Sequence, residues 1–143
     1  MSALSQHLDT INILILEDDP SNRLVLEYEF PRPKYAVSLV NDTADARNVL
    51  SQPDRTFQLG IFDLKVPLSP GSFPDPKNGL LAIEAARKAF PDMIIVTISS
   101  IFITEEIRVK MQQLRVSKDF PKPFLIEPFH SYIDASLACP PAQ

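Results

Sequence analysis

Three acids, one hydroxyl and one lysine draw attention because each falls at the end of a short strand-like run. Glu17 and Asp18 close the run Ile11 to Leu16 (INILIL), and Asp63 closes Phe57 to Phe62. Ser99 follows Met93 to Ile98, and Lys122 follows a short run near Lys118 to Phe120. Carboxylates brought into one small site repel one another unless a cation neutralises them. A hard divalent ion suits them: Mg2+ (or Mn2+) takes oxygen ligands, keeps several waters and binds one or two protein carboxylates plus phosphate oxygens. A nearby lysine supplies fixed positive charge for a phosphoryl oxygen, and a hydroxyl donates a hydrogen bond to another. Phosphoryl transfer asks little of a protein beyond positioning and charge neutralisation. An aspartate can itself be the nucleophile and form an acyl phosphate. With only 3 glycines in the chain, a glycine-rich phosphate cradle is not available for this chemistry.

Such residues need a frame that gathers strand ends. The run INILIL, stopped by Glu17-Asp18-Asp19-Pro20, reads as a strand buried on both faces, as parallel sheets require. Pro20 suits the first helical position with Asp19 as its N-cap, a role that explains Asp19 better than metal binding does. Leu24, Val25 and Tyr28 then give that helix its apolar face. Further strands are predicted at Tyr35 to Val40, Phe57 to Phe62, Met93 to Ile98 and Lys118 to Phe120. Helices are predicted at about 43–50, 78–90, from Thr104 onward and 127–138. Leu80, Ile83, Ala86 and Phe90 keep helical spacing, as do Ile107, Met111 and Leu114, and Phe129, Ile133 and Leu137. The chain therefore reads as five β/α units, an α/β fold with a doubly wound, five-stranded parallel sheet and helices on both faces. In such sheets the ligand site lies beyond the carboxyl ends of the strands, near the reversal of strand order. All five notable residues fall at those ends.

Bulk properties set limits. The 143 residues suit one domain, here 11–138 between a short N-terminal extension (1–10) and a tail (139–143). A formal net charge of -4 without a basic stripe disfavours nucleic-acid binding. Cys139, the single cysteine, excludes an internal disulfide framework and a cysteine-built metal site. No apolar run reaches the length of a membrane span and the N-terminus lacks a signal core, so the cytoplasm is the expected location. His7 and His130 have no partners at ligand spacing and read as solvated or core residues. Nothing resembles a Ser-His-Asp or Cys-His arrangement.

The segments ILILEDDP (13–20), IFDLKVP (61–67), NG (78–79), PDMIIVTISS (91–100) and KPF (122–124), in this order, resemble a known family. From about Asn12 to Leu137 the chain is similar to the response-regulator receiver domain of two-component signalling, a flavodoxin-like (βα)5 fold. The resemblance implies that Glu17 and Asp18 are an acidic pair, Asp18 being the direct metal ligand. It implies Asp63 as phosphoacceptor, the backbone carbonyl of Lys65 as a further metal ligand, Ser99 as switch hydroxyl and Lys122 as the phosphoryl-binding lysine. Lys122-Pro123 matches a peptide that is typically cis in the family. Thr97 lies on the same strand face as Ser99, but Ser99 is nearer the strand end and is followed by Ser100. The implied partners are a histidine kinase or histidine phosphotransfer protein and a downstream protein target, with a homodimer possible. The implied chemistry is confined to self-phosphorylation and slow self-dephosphorylation.

Two departures qualify the resemblance. The segment 68–77 replaces a short turn, and its three internal prolines predict a semi-rigid extended loop placed to lie over the site and influence kinase choice or phosphoryl lifetime. The family's aromatic three residues before the lysine is Asp119 here, with Phe120 one position later. Both departures suggest a second reading, a degenerate receiver that acts as a phosphorylation-independent interaction module, and the retained acids, hydroxyl and lysine argue against it. A haloacid-dehalogenase-like phosphatase is a third, weakened by Glu17 in the nucleophile position. The expected partner face lies on the fourth and fifth helices, where Phe102, Ile103 and Tyr132 serve either as contacts or as core.

Overall fold

The computed structural model describes residues 10–138. Its strands are β1 (Ile11–Leu16), β2 (Tyr35–Val40), β3 (Leu59–Asp63), β4 (Ile94–Ser99) and β5 (Lys118–Pro121). All pair in parallel, in the order β2-β1-β3-β4-β5. The helices described are α1 (Pro20–Tyr28), α2 (Thr43–Leu50), α3 (Pro76–Ala89), α4 (Glu105–Gln113) and α5 (Ile126–Ala138). This is the doubly wound flavodoxin-like sheet expected from the sequence, and its order reverses at the β1/β3 crevice. Cys139, His7 and the chain ends at 1–9 and 139–143 lie outside the described residues.

Alternation along the strands feeds two cores. Leu14, Leu16, Phe62 and Ile95 face α2, α3 and α4 through Ala46, Leu50, Ile83, Ala86 and Met111. Ile13, Ile15, Ile61, Val96, Ile98 and Phe120 face α1 and α5 through Leu26, Phe129 and Ile133. On α1 the buried stripe differs from the expected one. Leu24 and Tyr28 are 68% and 84% exposed and Val25 is exposed too, while Leu26 and Phe30 are buried. Within the helix Leu26 alone is buried, and Phe30, four residues on and past the helix end, joins it in the same core.

Four helices start on a side-chain cap. Asp19 accepts from the Ser21 N–H at 2.9 Å, Asp42 from Asp45 at 2.8 Å, Asp75 from Lys77 at 2.8 Å and Thr104 from Ile107 at 3.2 Å. Asp75 with Pro76 behind it opens α3 two residues ahead of the expected Asn78, so the inserted loop is shorter than 68–77. β3 starts at Leu59 instead of Phe57, whose ring leaves the ladder to pack edge-on against Phe90.

α3 rides very close to the end of β3. The Gly79 N–H donates to the Leu64 carbonyl at 3.0 Å, and a Cβ at Gly79 would lie 2.4 Å from that oxygen and 2.7 Å from the Asp63 carbonyl oxygen. Both obstacles are backbone, so they cannot swing aside. Gly79→Ala is therefore expected to destabilise the protein by roughly 1–3 kcal/mol, the usual range for overpacking. Urea unfolding checks it; an unchanged midpoint would mean that α3 shifts freely.

Candidate functional site

Glu17 and Asp18 extend directly from β1, and Asp63 is the last residue of β3, so the three acids flank the crevice where strand order reverses. Carboxylate oxygens of Glu17, Asp18 and Asp63 lie within 4.8 Å of one another. Lys122, just past β5, reaches across: its Nζ donates to Glu17 Oε1 at 2.8 Å and to Asp63 Oδ2 at 2.9 Å. The other Glu17 oxygen accepts the Asp19 N–H at 3.1 Å. Asp63 Oδ1 is buried and has no hydrogen-bond partner. A buried carboxylate oxygen left in this state is costly and calls for a cation or a donor.

The electrostatics follow from burial. Glu17, which is fully buried, is held above the ordinary carboxylate range by desolvation, with the Asp63 charge adding to the effect and Lys122 opposing it. Asp63 is raised by desolvation in the same way, again against the Lys122 hydrogen bond. Asp18, half-buried, is raised by desolvation and by the neighbouring Glu17 charge. For Lys122 burial acts downward, but the hydrogen bonds and charges of Glu17 and Asp63 outweigh it and raise its ammonium above the ordinary lysine value. The cluster is short of positive charge. Three carboxylates with oxygen-only donors and one unpartnered buried oxygen fit a hard divalent cation.

Other bonds hold these groups in place. Arg23 on α1, not singled out from the sequence, donates to the carbonyls of Glu17 at 3.2 Å and Asp18 at 3.5 Å and to the Asn41 side chain, bracing the acidic loop. The Lys122 N–H donates to the Ser99 carbonyl at 2.6 Å, tying the lysine loop to β4, and the Lys122-Pro123 peptide is cis. Asn78 donates to the Val66 carbonyl at 2.9 Å and accepts from the buried Thr43 hydroxyl at 2.7 Å through its own carbonyl.

Ser99 lies at the end of β4 as expected, but its hydroxyl turns to Asp119, 3.1 Å from each carboxylate oxygen. Thr97 shares that acceptor, donating to Oδ1 at 2.6 Å. Phe120 points the other way, as strand alternation requires, and is buried among Phe124, Phe129 and Tyr132. It therefore does not take the place of the family's aromatic on the Asp119 face. Lys65 is exposed two residues after Asp63.

The inserted loop spends its bonds on α2 and on itself. The Pro67 and Leu68 carbonyls accept the Thr43 and Ala44 N–H groups at 3.1 and 2.9 Å, and Ser72 Oγ accepts from the N–H groups of Leu68 and Ser69. An antiparallel bridge between Val66 and Asp75 closes it. Of the residues expected at the partner face, Phe102 is exposed, whereas Ile103 and Tyr132 pack against the two cores. His130 is half-buried, stacked on Phe30 and placed between Glu29 and Asp134.

No protein-family model and no curated protein sequence matches the chain. Solved structures do. The chain is similar to a CheY-like response-regulator receiver domain from Methanospirillum hungatei JF-1, with a TM-score of 0.75 and 19% identity over 90% of this chain and 94% of that one. It is also similar to the non-phosphorylated HemR receiver domain from Leptospira biflexa, with a TM-score of 0.75 and 22% identity over 94% and 99% of the two chains. A third is a Burkholderia pseudomallei response regulator solved with a phosphorylated aspartic acid, calcium ion and citrate, with a TM-score of 0.67 and 18% identity over 93% of this chain and 77% of that one. At such identities the likeness is one of fold. The chain has the receiver-domain fold, and no helix among its described residues is long and apolar enough to cross a membrane.

Proposed function

We propose that the chain is a phosphorylation-dependent signalling switch of two-component type, in which Asp63 accepts a phosphoryl group from a histidine kinase or histidine phosphotransfer protein. The observation that carries this reading is Asp63 itself. One carboxylate oxygen is held by Lys122 at 2.9 Å, and the other is buried without a partner in a cluster of three acids. A carboxylate serving only to end a strand would have both oxygens satisfied or solvated.

A bound Mg2+ (or Mn2+) would neutralise the acids and the incoming phosphoryl oxygens, held by Asp18, Asp63 and the Lys65 carbonyl, with Glu17 beside it. An Asp63 oxygen attacks phosphorus in line with the leaving group. The new O–P bond forms as the donor's P–N or P–O bond breaks, and the leaving group departs with the electron pair. Lys122, already oriented by Glu17 and Asp63, neutralises a phosphoryl oxygen, and Ser99 donates to another. The related Burkholderia structure with a phosphorylated aspartic acid supports the same chemistry on this fold.

Two experiments test the reading. After incubation with acetyl phosphate and Mg2+, borohydride should reduce the acyl phosphate in two steps, a first hydride displacing phosphate to give the aldehyde and a second, with a proton from water, giving the alcohol. Peptide mapping should then find homoserine at position 63; modification at another residue would overturn the assignment. Separately, Mg2+ at about a hundred times its Kd should stabilise the protein by ~2.7 kcal/mol through mass action. Asp18→Asn should remove most of that gain. A calorimetric midpoint unmoved by Mg2+ and Mn2+ would rule out the cation site.

A further inference from the structure

Asp119 is the register partner of Thr97 across the β4/β5 ladder, and Ser99 lies two residues on, on the same face. The carboxylate therefore receives both hydroxyls, and it receives them unequally. Thr97 donates to one oxygen at 2.6 Å, within the range of a strong charge-assisted O–H···O bond. Ser99 has a single proton to give and stands 3.1 Å from both oxygens, a longer and divided contact. Thr97 is thus the anchor and Ser99 the exchangeable donor. Thr97 and Ser99 are 0% and 1% exposed, so the serine hydroxyl needs a protein or ligand acceptor in every state. Asp119 is only half-buried, and after losing Ser99 it keeps Thr97 and contact with water.

We propose that Asp119 is a positioning residue acting through Ser99: it holds the Ser99 proton in the resting protein and competes for it with a phosphoryl group on Asp63. The proposal rests on the reading of Asp63 as phosphoacceptor. The Lys122 N–H holds the Ser99 carbonyl at 2.6 Å, so the strand end is tied to the lysine loop and the group that changes acceptor is the Ser99 side chain. Asp119 thereby sets how readily the phosphorylated state forms. Phe120, packed into the opposite core, takes no part in it.

The test titrates Mg2+ and beryllofluoride, a stable phosphoryl mimic, into wild type, Asp119→Asn and Asp119→Ala, each with Ser99 intact and as Ser99→Ala. Asn matches the shape of Asp and can still accept from Thr97, so it remains informative if the Ala variant folds poorly. With Ser99 intact, Asp119→Asn should bind the mimic roughly fivefold more tightly, the scale of one ordinary hydrogen bond, because the neutral amide has a single acceptor oxygen and competes less for the Ser99 proton. In the Ser99→Ala background the same change should alter affinity by less than about twofold, which is the coupling a double-mutant cycle isolates. Equal gains in both backgrounds would mean that Asp119 acts by charge alone, and no gain in either would mean that it does not compete; each result overturns the proposal while leaving the function of Asp63 intact. A folded wild type that binds no mimic would overturn the functional reading and this proposal together.

Discussion

Lys122→Met should destabilise the metal-free protein by about 3 kcal/mol at neutral pH, the low end of the cost of removing one partner from a buried ion pair. The lysine is the positive group hydrogen-bonded to both Glu17 and Asp63, whose side chains are 0% and 5% exposed. Without it two buried carboxylates face each other and Asp18. The loss depends on pH in a definite sense. Glu17 and Asp63 are already raised by burial, and removing Lys122 takes away the influence that lowers them. In the variant both groups therefore lie higher still, so the penalty is full above the variant's values and shrinks as pH falls from there to the wild-type ones, when the variant's carboxylates take up protons first. Urea unfolding at pH 7.5 and pH 5 measures this. A variant as stable as wild type at both values would mean that the ion pairs contribute nothing net. Phosphoryl acceptance should fall as well, since no other described lysine bonds to Asp63.

Asp63→Asn should lose phosphoryl acceptance entirely and yet gain stability. An amide has no ionised oxygen for attack on phosphorus, so the nucleophile is gone. In the metal-free protein the same change removes a buried charge that desolvation penalises, and stability should rise by roughly 1 kcal/mol. Linkage gives the pH dependence. With Glu17, Asp18 and Asp63 all raised, the native state binds more protons than the unfolded state between the ordinary carboxylate values and the raised native ones. Wild-type stability from these groups therefore falls as pH rises through that window, and Asp63→Asn should flatten the slope. A variant less stable than wild type, with an unchanged slope, would argue that Asp63 is structural. The expected combination of lost function and gained stability is typical of a site strained for chemistry.

Much of this arrangement is legible in the sequence because the interactions that set it are local. The apolar run INILIL ending in acids, the Asp19-Pro20 cap and the Thr104 cap need only neighbouring residues to be recognised, and strand ends in a doubly wound sheet converge by topology. The α3 start is equally local, since Asp75-Pro76 is a cap followed by proline; reading the prolines of the inserted loop together obscures it. What the sequence hides depends on register and on opposite faces. Asp119 meets Thr97 and Ser99 only because β5 pairs with β4 in one register, which no local signal announces. The exposure of Leu24 and Tyr28 on α1 likewise depends on how the helix is turned on the sheet, which buries Leu26 instead. Arg23 is recognisable only once the acidic loop's carbonyls are seen to converge on it.

The most direct test of Asp63 as phosphoacceptor is intact-protein mass spectrometry after incubation with acetyl phosphate, with and without Mg2+, on wild type and Asp63→Asn. The expected result is a gain of one phosphoryl group in wild type that requires the metal and is absent from the variant. No gain in folded wild type, either with acetyl phosphate or with a histidine-phosphorylated donor protein, would contradict it and leave the chain as an interaction module on a receiver fold.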